Sequence, residues 1–246
     1  DLNHILRTQF SMQADDDSLN GNLLASLSIR SGLVRVQPLY PAPFARRFQH
    51  KSGDVTSVHF SPDGKRIISL TDIGQAVVWT LAPSNASPAL KALQGFKGVI
   101  HSALFSPDGA YIVGAAHDGT VRQWSQAGQP VRRALKGHVG PVNYASYSSD
   151  GAKIVSAGGD GAVRVWNVSS GVAMAILKDP DDHERTYAYA AFSQDGTHVL
   201  AVPDDGGCLV WDLRAPAAAP RIIAANEAEP DRDSCALSPD GRMAVV

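Results

Sequence analysis

The chain has 246 residues, 44% hydrophobic and 19% charged, which admits a sizeable packed core and excludes a disordered polymer. A formal net charge of −2 excludes the broad basic field that a nucleic-acid backbone or an anionic membrane surface demands. Two cysteines without a Cys-x-x-Cys spacing exclude a disulfide framework and a zinc ribbon, and no apolar run approaches the roughly 20 residues of a bilayer span.

Residues 1–47 stand apart from the rest of the chain. Leu23-Leu-Ala-Ser-Leu-Ser-Ile29 is expected to be helical, with the polar stretch from Asp15 to Asn20 before it and Gly32 as its stop. Thr8–Ala14 suits a preceding helix, and Tyr40-Pro-Ala-Pro43 is a linker by composition. The chain opens at Asp1 and stops inside the apolar run Met243-Ala-Val-Val246, so both ends are expected to be cut from a longer protein.

From residue 48 the sequence repeats. Asp-Gly recurs at Asp63, Asp108, Asp150, Asp195 and Asp240, at intervals of 45, 42, 45 and 45 residues. All four tryptophans, Trp79, Trp124, Trp166 and Trp211, follow their Asp by 16 residues. Chance does not place every Trp of a chain at one phase of a repeated turn.

Each unit reads as four short strands. In the Trp166 unit Val142–Tyr147 is followed by the turn Ser148-Ser-Asp-Gly151, then Lys153–Ala157, the turn Gly158-Gly-Asp-Gly161, Val163–Trp166 and a last strand near Val172–Leu177. β-branched and aromatic runs joined by Asp-Gly turns are the hairpin signature. Four strands in about 40–45 residues is the unit of a β-propeller. The expected fold is therefore all-β, with four complete four-stranded blades near 54–95, 99–136, 141–178 and 186–224 and a partial blade at 232–246. Four blades lie at the lower limit of about four to eight for a closed ring, so an open arc is expected.

Gly137-His138-Val-Gly-Pro-Val142, Asp150-Gly151, Ser156, Asp160 and Val165-Trp166 together resemble a complete WD40 repeat, and the resemblance covers about residues 48–246. It implies a hydrogen-bonded chain of His, Ser, Asp and Trp within a blade. Only the Trp166 unit carries all four, as His138, Ser156, Asp160 and Trp166. The Trp211 unit keeps His183, Asp205 and Trp211 but has Ala201 at the Ser position. The Trp124 unit keeps Asp118 and Trp124, with Phe96 and Gly114 in place of His and Ser. The Trp79 unit keeps Ser69 and Trp79, with Lys51 and Ile73 at the His and Asp positions and His50 and Asp72 each one residue away. Residues 1–47 resemble the helical linker that precedes WD40 arrays in large bacterial multidomain proteins with nucleotide-binding, TIR or caspase-like domains. Phe44-Ala-Arg-Arg-Phe48 is expected to be the outer strand that closes the last blade.

No catalytic residues are expected. No Gly-x-Ser-x-Gly elbow, P-loop or dinucleotide fingerprint occurs, and Gly158–Gly161 precedes a strand where a phosphate cradle needs a helix N-terminus. His138 beside Asp160 is read as a structural pair rather than an acid–base pair. Asp179-Pro-Asp-Asp-His183 is read as a solvated acidic loop, since one loop seldom supplies the oxygens calcium needs. No metal and no cofactor is expected. Cys208 and Cys235 are read as reduced, partly buried thiols, which fits a cytoplasmic setting.

Function is expected on loops gathered at one rim. The resemblance implies partner contact at the entry of the innermost strands, which carries Asp54, Thr56, His101 and Asn143, and at the second-to-third-strand turns, which carry Asp72, His117 and Asp204. The expectation is a protein- or peptide-binding scaffold or sensor module of a larger protein, with no nucleic-acid or membrane partner. The alternatives are a propeller hydrolase or lyase, for which His101, Asp54 and Glu184 lie on separate blades, and a structural spacer.

Overall fold

The computed structural model describes residues 23–28, 33–38, 46–81, 90–180, 185–223, 235–238, 241 and 243–245. The four expected units are four antiparallel four-stranded sheets, each in sequence order from inner to outer strand. The Trp79 sheet holds β4 (Val55–Phe60), β5 (Arg66–Thr71), β6 (Ala76–Thr80) and β7 (Leu90–Ala92). The Trp124 sheet holds β8 (Ile100–Phe105), β9 (Tyr111–Ala116), β10 (Thr120–Ser125) and β11 (Leu135–Lys136). The Trp166 sheet holds β12 (Val142–Tyr147), β13 (Lys153–Gly158), β14 (Val163–Asn167) and β15 (Ala173–Leu177). The Trp211 sheet holds β16 (Tyr187–Phe192), β17 (His198–Pro203), β18 (Cys208–Asp212) and β19 (Arg221–Ile223). A two-stranded pair, β20 (Ala236–Leu237) and β21 (Ala244–Val245), opens the next repeat.

One expectation fails at the N-terminal side. Residues 23–28 form a strand, β1 (Leu23–Ser28), not a helix. It pairs with β2 (Leu33–Pro38), which pairs with β3 (Arg46–Gln49) in a three-stranded antiparallel sheet. Ala25, Leu27 and Ile29 alternate with Ser26 and Ser28, so the apolar run carries strand periodicity as well as helical propensity, and pairing decides between them. The suggested helix at Thr8–Ala14 lies outside the described residues. β3 likewise does not complete the last blade but is the outer strand of this additional sheet.

The sheets pack face to face because each Trp is buried against the outer strand of the sheet before it. Phe48 lies 5.3 Å from the Trp79 ring. Leu93, Leu135 and Leu177 occupy the same place in the clusters of Trp124, Trp166 and Trp211. A buried aromatic is the largest single apolar contribution a strand position offers.

The opposite end of each sheet is locked by one turn repeated with little change. In it the buried Ser61, Ser106, Ser148 and Ser193 hydroxyls donate to Asp63, Asp108, Asp150 and Asp195 at 2.5–2.6 Å. Each Ser oxygen then accepts the backbone N–H five residues on, at 2.9–3.0 Å. The same closing bond recurs from Met243 to Ser238 in the last repeat. The Ser and backbone N–H donors hold Asp108 and Asp150 below the usual carboxylate range, and bring Asp195 to about 2.

The cysteines correct a second expectation. Cys208, buried at the start of β18, and Cys235, just before β20, are joined in a disulfide with a Cα–Cα distance of 6.6 Å. They are 27 residues apart, one in the Trp211 sheet and the other at the entry of the next repeat, a proximity that the packing of one repeat on the next creates. Their pairing also removes the support that reduced thiols gave to a cytoplasmic setting.

Candidate functional site

The structure brings the four residues of the Trp166 unit into one buried chain. Trp166 Nε1–H donates to Ser156 Oγ at 2.9 Å, and Ser156 Oγ lies 2.8 Å from His138 Nε2. His138 Nδ1 lies 2.7 Å from Asp160 Oδ1, while Asp160 Oδ2 accepts the Val139 N–H at 2.9 Å. Because the Asp160 carboxylate can only accept, the proton of the neutral ring sits on Nδ1 facing Asp160, and Nε2 accepts from the Ser156 hydroxyl, whose oxygen takes the indole N–H. Burial lowers the His138 pKa more than Asp160 raises it, so the ring is neutral at pH 7.

Ser, His and Asp in that order match a hydrolase triad in distance alone. Ser156 is fully buried, its oxygen already accepts the Trp166 proton, and the His138 side chain is 1% exposed. No acyl group reaches that hydroxyl. Gly158 makes room for the His138–Asp160 contact. A Cβ there would collide with His138 Nδ1 and Asp160 Oδ1, and the corresponding strand ends in the other units are Thr71, Ala116 and Pro203.

The other units satisfy their Trp differently. His50, not Lys51, reaches Ser69 at 2.6 Å, and Trp79 Nε1–H donates to the same oxygen at 2.6 Å. Asp72 does not join this chain; its Oδ1 accepts the Asp54 backbone N–H at 2.9 Å. Trp124 donates to the Gln94 carbonyl at 2.7 Å in place of the missing Ser. Gly114 leaves room for its ring, since a Cβ there would meet Trp124 Cζ3 at 2.9 Å and the Ser102 carbonyl at 2.8 Å. Asp118 accepts from Lys97 N–H, Thr120 and Arg122.

In the Trp211 unit His183 lies outside the described residues, and Trp211 packs edge-on against Tyr187 beside the buried Ala201. Asp205 takes Arg185 at 3.1 Å, which also donates to Asp179 at 2.7 Å. Asp179 is buried, so the start of the segment read as a solvated acidic loop is an internal ion pair.

The seven candidate partner-contact residues share one end of the sheets, and two backbone features put them there. Every innermost strand shifts register once, between Val55 and Ser57, Ile100 and Ser102, Val142 and Tyr144, and Tyr187 and Tyr189. The extra residues are Thr56, His101, Asn143 and Ala188. A bulge re-aims a side chain and bends its strand, which is why bulges gather at sites of contact. Beside each bulge the second-to-third-strand turn is tied to the strand entry by one backbone bond. It runs from Asp72, His117, Gly159 and Asp204 N–H to the carbonyls of Asp54, Val99, Pro141 and Thr186, at 2.8–3.0 Å.

The side chains then pair in unit-specific ways. His101 Nε2 lies 3.3 Å from His117 Nδ1, both rings exposed. Asp204 accepts from Thr186 Oγ1 at 2.5 Å. Asn143 Nδ2 donates to the Tyr187 carbonyl at 2.9 Å, joining two sheets, and Thr56 Oγ1 donates to the Leu70 carbonyl at 3.2 Å. Sequence reasoning missed Arg185, Thr186, Ala188 and the Gln94 carbonyl; Ala188 and Gln94 act through register and backbone, and Arg185 and Thr186 through side-chain bonds to Asp179, Asp205 and Asp204 that only the folded loop brings together.

Among the described residues no group of three or more His, Cys, Asp or Glu converges, and no helix is long and apolar enough to cross a membrane. The family model for the WD domain, G-beta repeat, matches residues 43–72, 87–125 and 128–167. With four sheets of the same pattern, three of them lying largely within that span, the chain belongs to the WD40 repeat family. No curated protein matches it.

Proposed function

We propose that this chain is a non-catalytic protein- or peptide-binding module of a larger protein, and that the end carrying the four bulges is its contact face. The observation that carries this reading is the recurrence of the bulge in all four sheets. It places Thr56, His101, Asn143 and Ala188 side by side with turns that carry Asp72, His117 and Asp204. WD40 domains commonly serve as binding scaffolds, and the Ser156-His138-Asp160 arrangement among the described residues is sealed in a core. The seven face residues include three carboxylates, two imidazoles and an amide and no Lys or Arg, which suits a polypeptide better than a nucleic-acid backbone.

Photocrosslinking tests the face. A photoreactive residue at position 101, 143 or 204 captures the partner of the intact parent protein, and one at Lys65 or Gln194, in turns at the opposite end, does not. Equal capture from both sets of positions rules out the bulged end as the contact face.

A further inference from the structure

The geometry points to the His101–His117 pair as a binding site for a late first-row divalent metal ion, with two protein ligands and open positions for exogenous ones. The site does not depend on the identity of any partner.

Three observations carry it. The first is distance. His101 Nε2 and His117 Nδ1 are 3.3 Å apart, which is long for a nitrogen–nitrogen hydrogen bond. Two nitrogens bound side by side on a tetrahedral zinc ion at about 2.0–2.1 Å would be roughly 3.3–3.4 Å apart. The second is support. His101 is the bulged residue of β8, between Ile100 and Ser102, and His117 is fixed by its N–H bond to the Val99 carbonyl at 2.8 Å. The two rings therefore stand on a strand and a turn that are themselves tied together, with centroids 5.4 Å apart and planes at 55°. The third is availability. Both side chains are exposed at the bulged end, where an ion from solvent reaches them.

Imidazole suits zinc, copper and nickel, and the usual order of stability puts copper first. Two ligands are fewer than the three that hold a catalytic zinc, so the site holds an exchangeable ion whose remaining positions water or a partner side chain fills. Such an ion on the bulge face would let a carboxylate or imidazole from a bound polypeptide complete its shell. The other units have no counterpart: the matching pairs are Thr56 with Asp72, Asn143 with Gly159, and Ala188 with Asp204.

The test is titration of the intact chain with zinc, nickel or copper chloride, followed by calorimetry and, for copper, by electron paramagnetic resonance. The expected result is one ion per chain with a Kd on the order of 10 μM for copper, and a copper spectrum with two nitrogen ligands. His101→Ala and His117→Ala each weaken binding at least tenfold, His101→Asn and His117→Asn do the same with polarity retained, and His198→Ala leaves it unchanged. Metal raises the unfolding midpoint of the wild type and of His198→Ala but not of the other variants. No saturation below about 1 mM, or uptake that survives loss of either histidine, overturns the site and assigns any uptake to an adventitious ion.

Discussion

The Trp166 and Trp124 sheets are neighbours with the same strand order and the same buried ring, yet they meet the demand of the indole N–H by different chemistry. In one a side-chain relay runs from Trp166 through Ser156 and His138 to Asp160. In the other Phe96 and Gly114 replace His and Ser, and a carbonyl, that of Gln94, accepts the proton. A buried donor must find an acceptor, but which acceptor is free to vary as long as the space around the ring changes with it. Gly114 belongs to the Trp124 solution and Gly158 to the Trp166 solution, and neither glycine is interchangeable with a larger residue.

Trp166→Ala and Trp124→Ala remove the shared element, and each is expected to cost about 3–5 kcal/mol in denaturant unfolding. A loss below about 1 kcal/mol in either would show that its ring does not bear the packing assigned to it. Next come the glycines. Gly158→Ala drives a methyl into the His138–Asp160 contact and Gly114→Ser pushes a Cβ into the Trp124 ring, each costing about 1–3 kcal/mol. If Gly114→Ser were neutral or stabilising, the Trp124 sheet would simply be a relay waiting for its serine.

Ser156→Ala isolates the polar part. It leaves the Trp166 N–H and His138 Nε2 without their shared partner and is expected to cost about 1–3 kcal/mol, with a smaller loss in the background of His138→Phe. Purely additive losses would mean that the two groups do not work as one chain.

The smallest effect per residue is with pH. Burial lowers the His50 and His138 pKa values and brings His59 to about 4, so each ring is held neutral by folding. Stability from such groups is complete above their unfolded value near 6.5 and is lost as pH falls through the folded one. Asp108, Asp150 and Asp160, held low, add losses of the same sign below about 4. Thermal midpoints are therefore expected to fall steadily from pH 7 to pH 4, and His138→Phe to flatten the upper part of that curve. A midpoint that rises on acidification contradicts the assignment.

Most of the sheet architecture was legible because a repeat states its own register: Asp-Gly and Trp at one spacing define strands, turns and buried face together. The additional sheet was not, because its mark is faint. Val34-Arg35-Val36 matches Val163-Arg164-Val165, and Gln37 stands 42 residues before Trp79 where a Trp would be, so a search keyed on Trp passes over it. His50 shows the limit in another way. A one-residue shift at the strand entry, invisible in a spacing pattern, decides that it and not Lys51 reaches Ser69. The seven face residues were placed by analogy of position, whereas the bulge that gathers Thr56, His101 and Asn143 is a property of pairing that composition does not announce. The disulfide was out of reach for the same reason.

Ser156, His138 and Asp160 form a closed structural relay rather than a reactive site. Long-range proton–nitrogen spectra of the His138 ring test this most directly. The relay requires a neutral imidazole with its proton on Nδ1 at pH 7 and a Trp166 indole proton that exchanges slowly. An imidazolium at pH 7, a proton on Nε2, or fast exchange at Trp166 would contradict it.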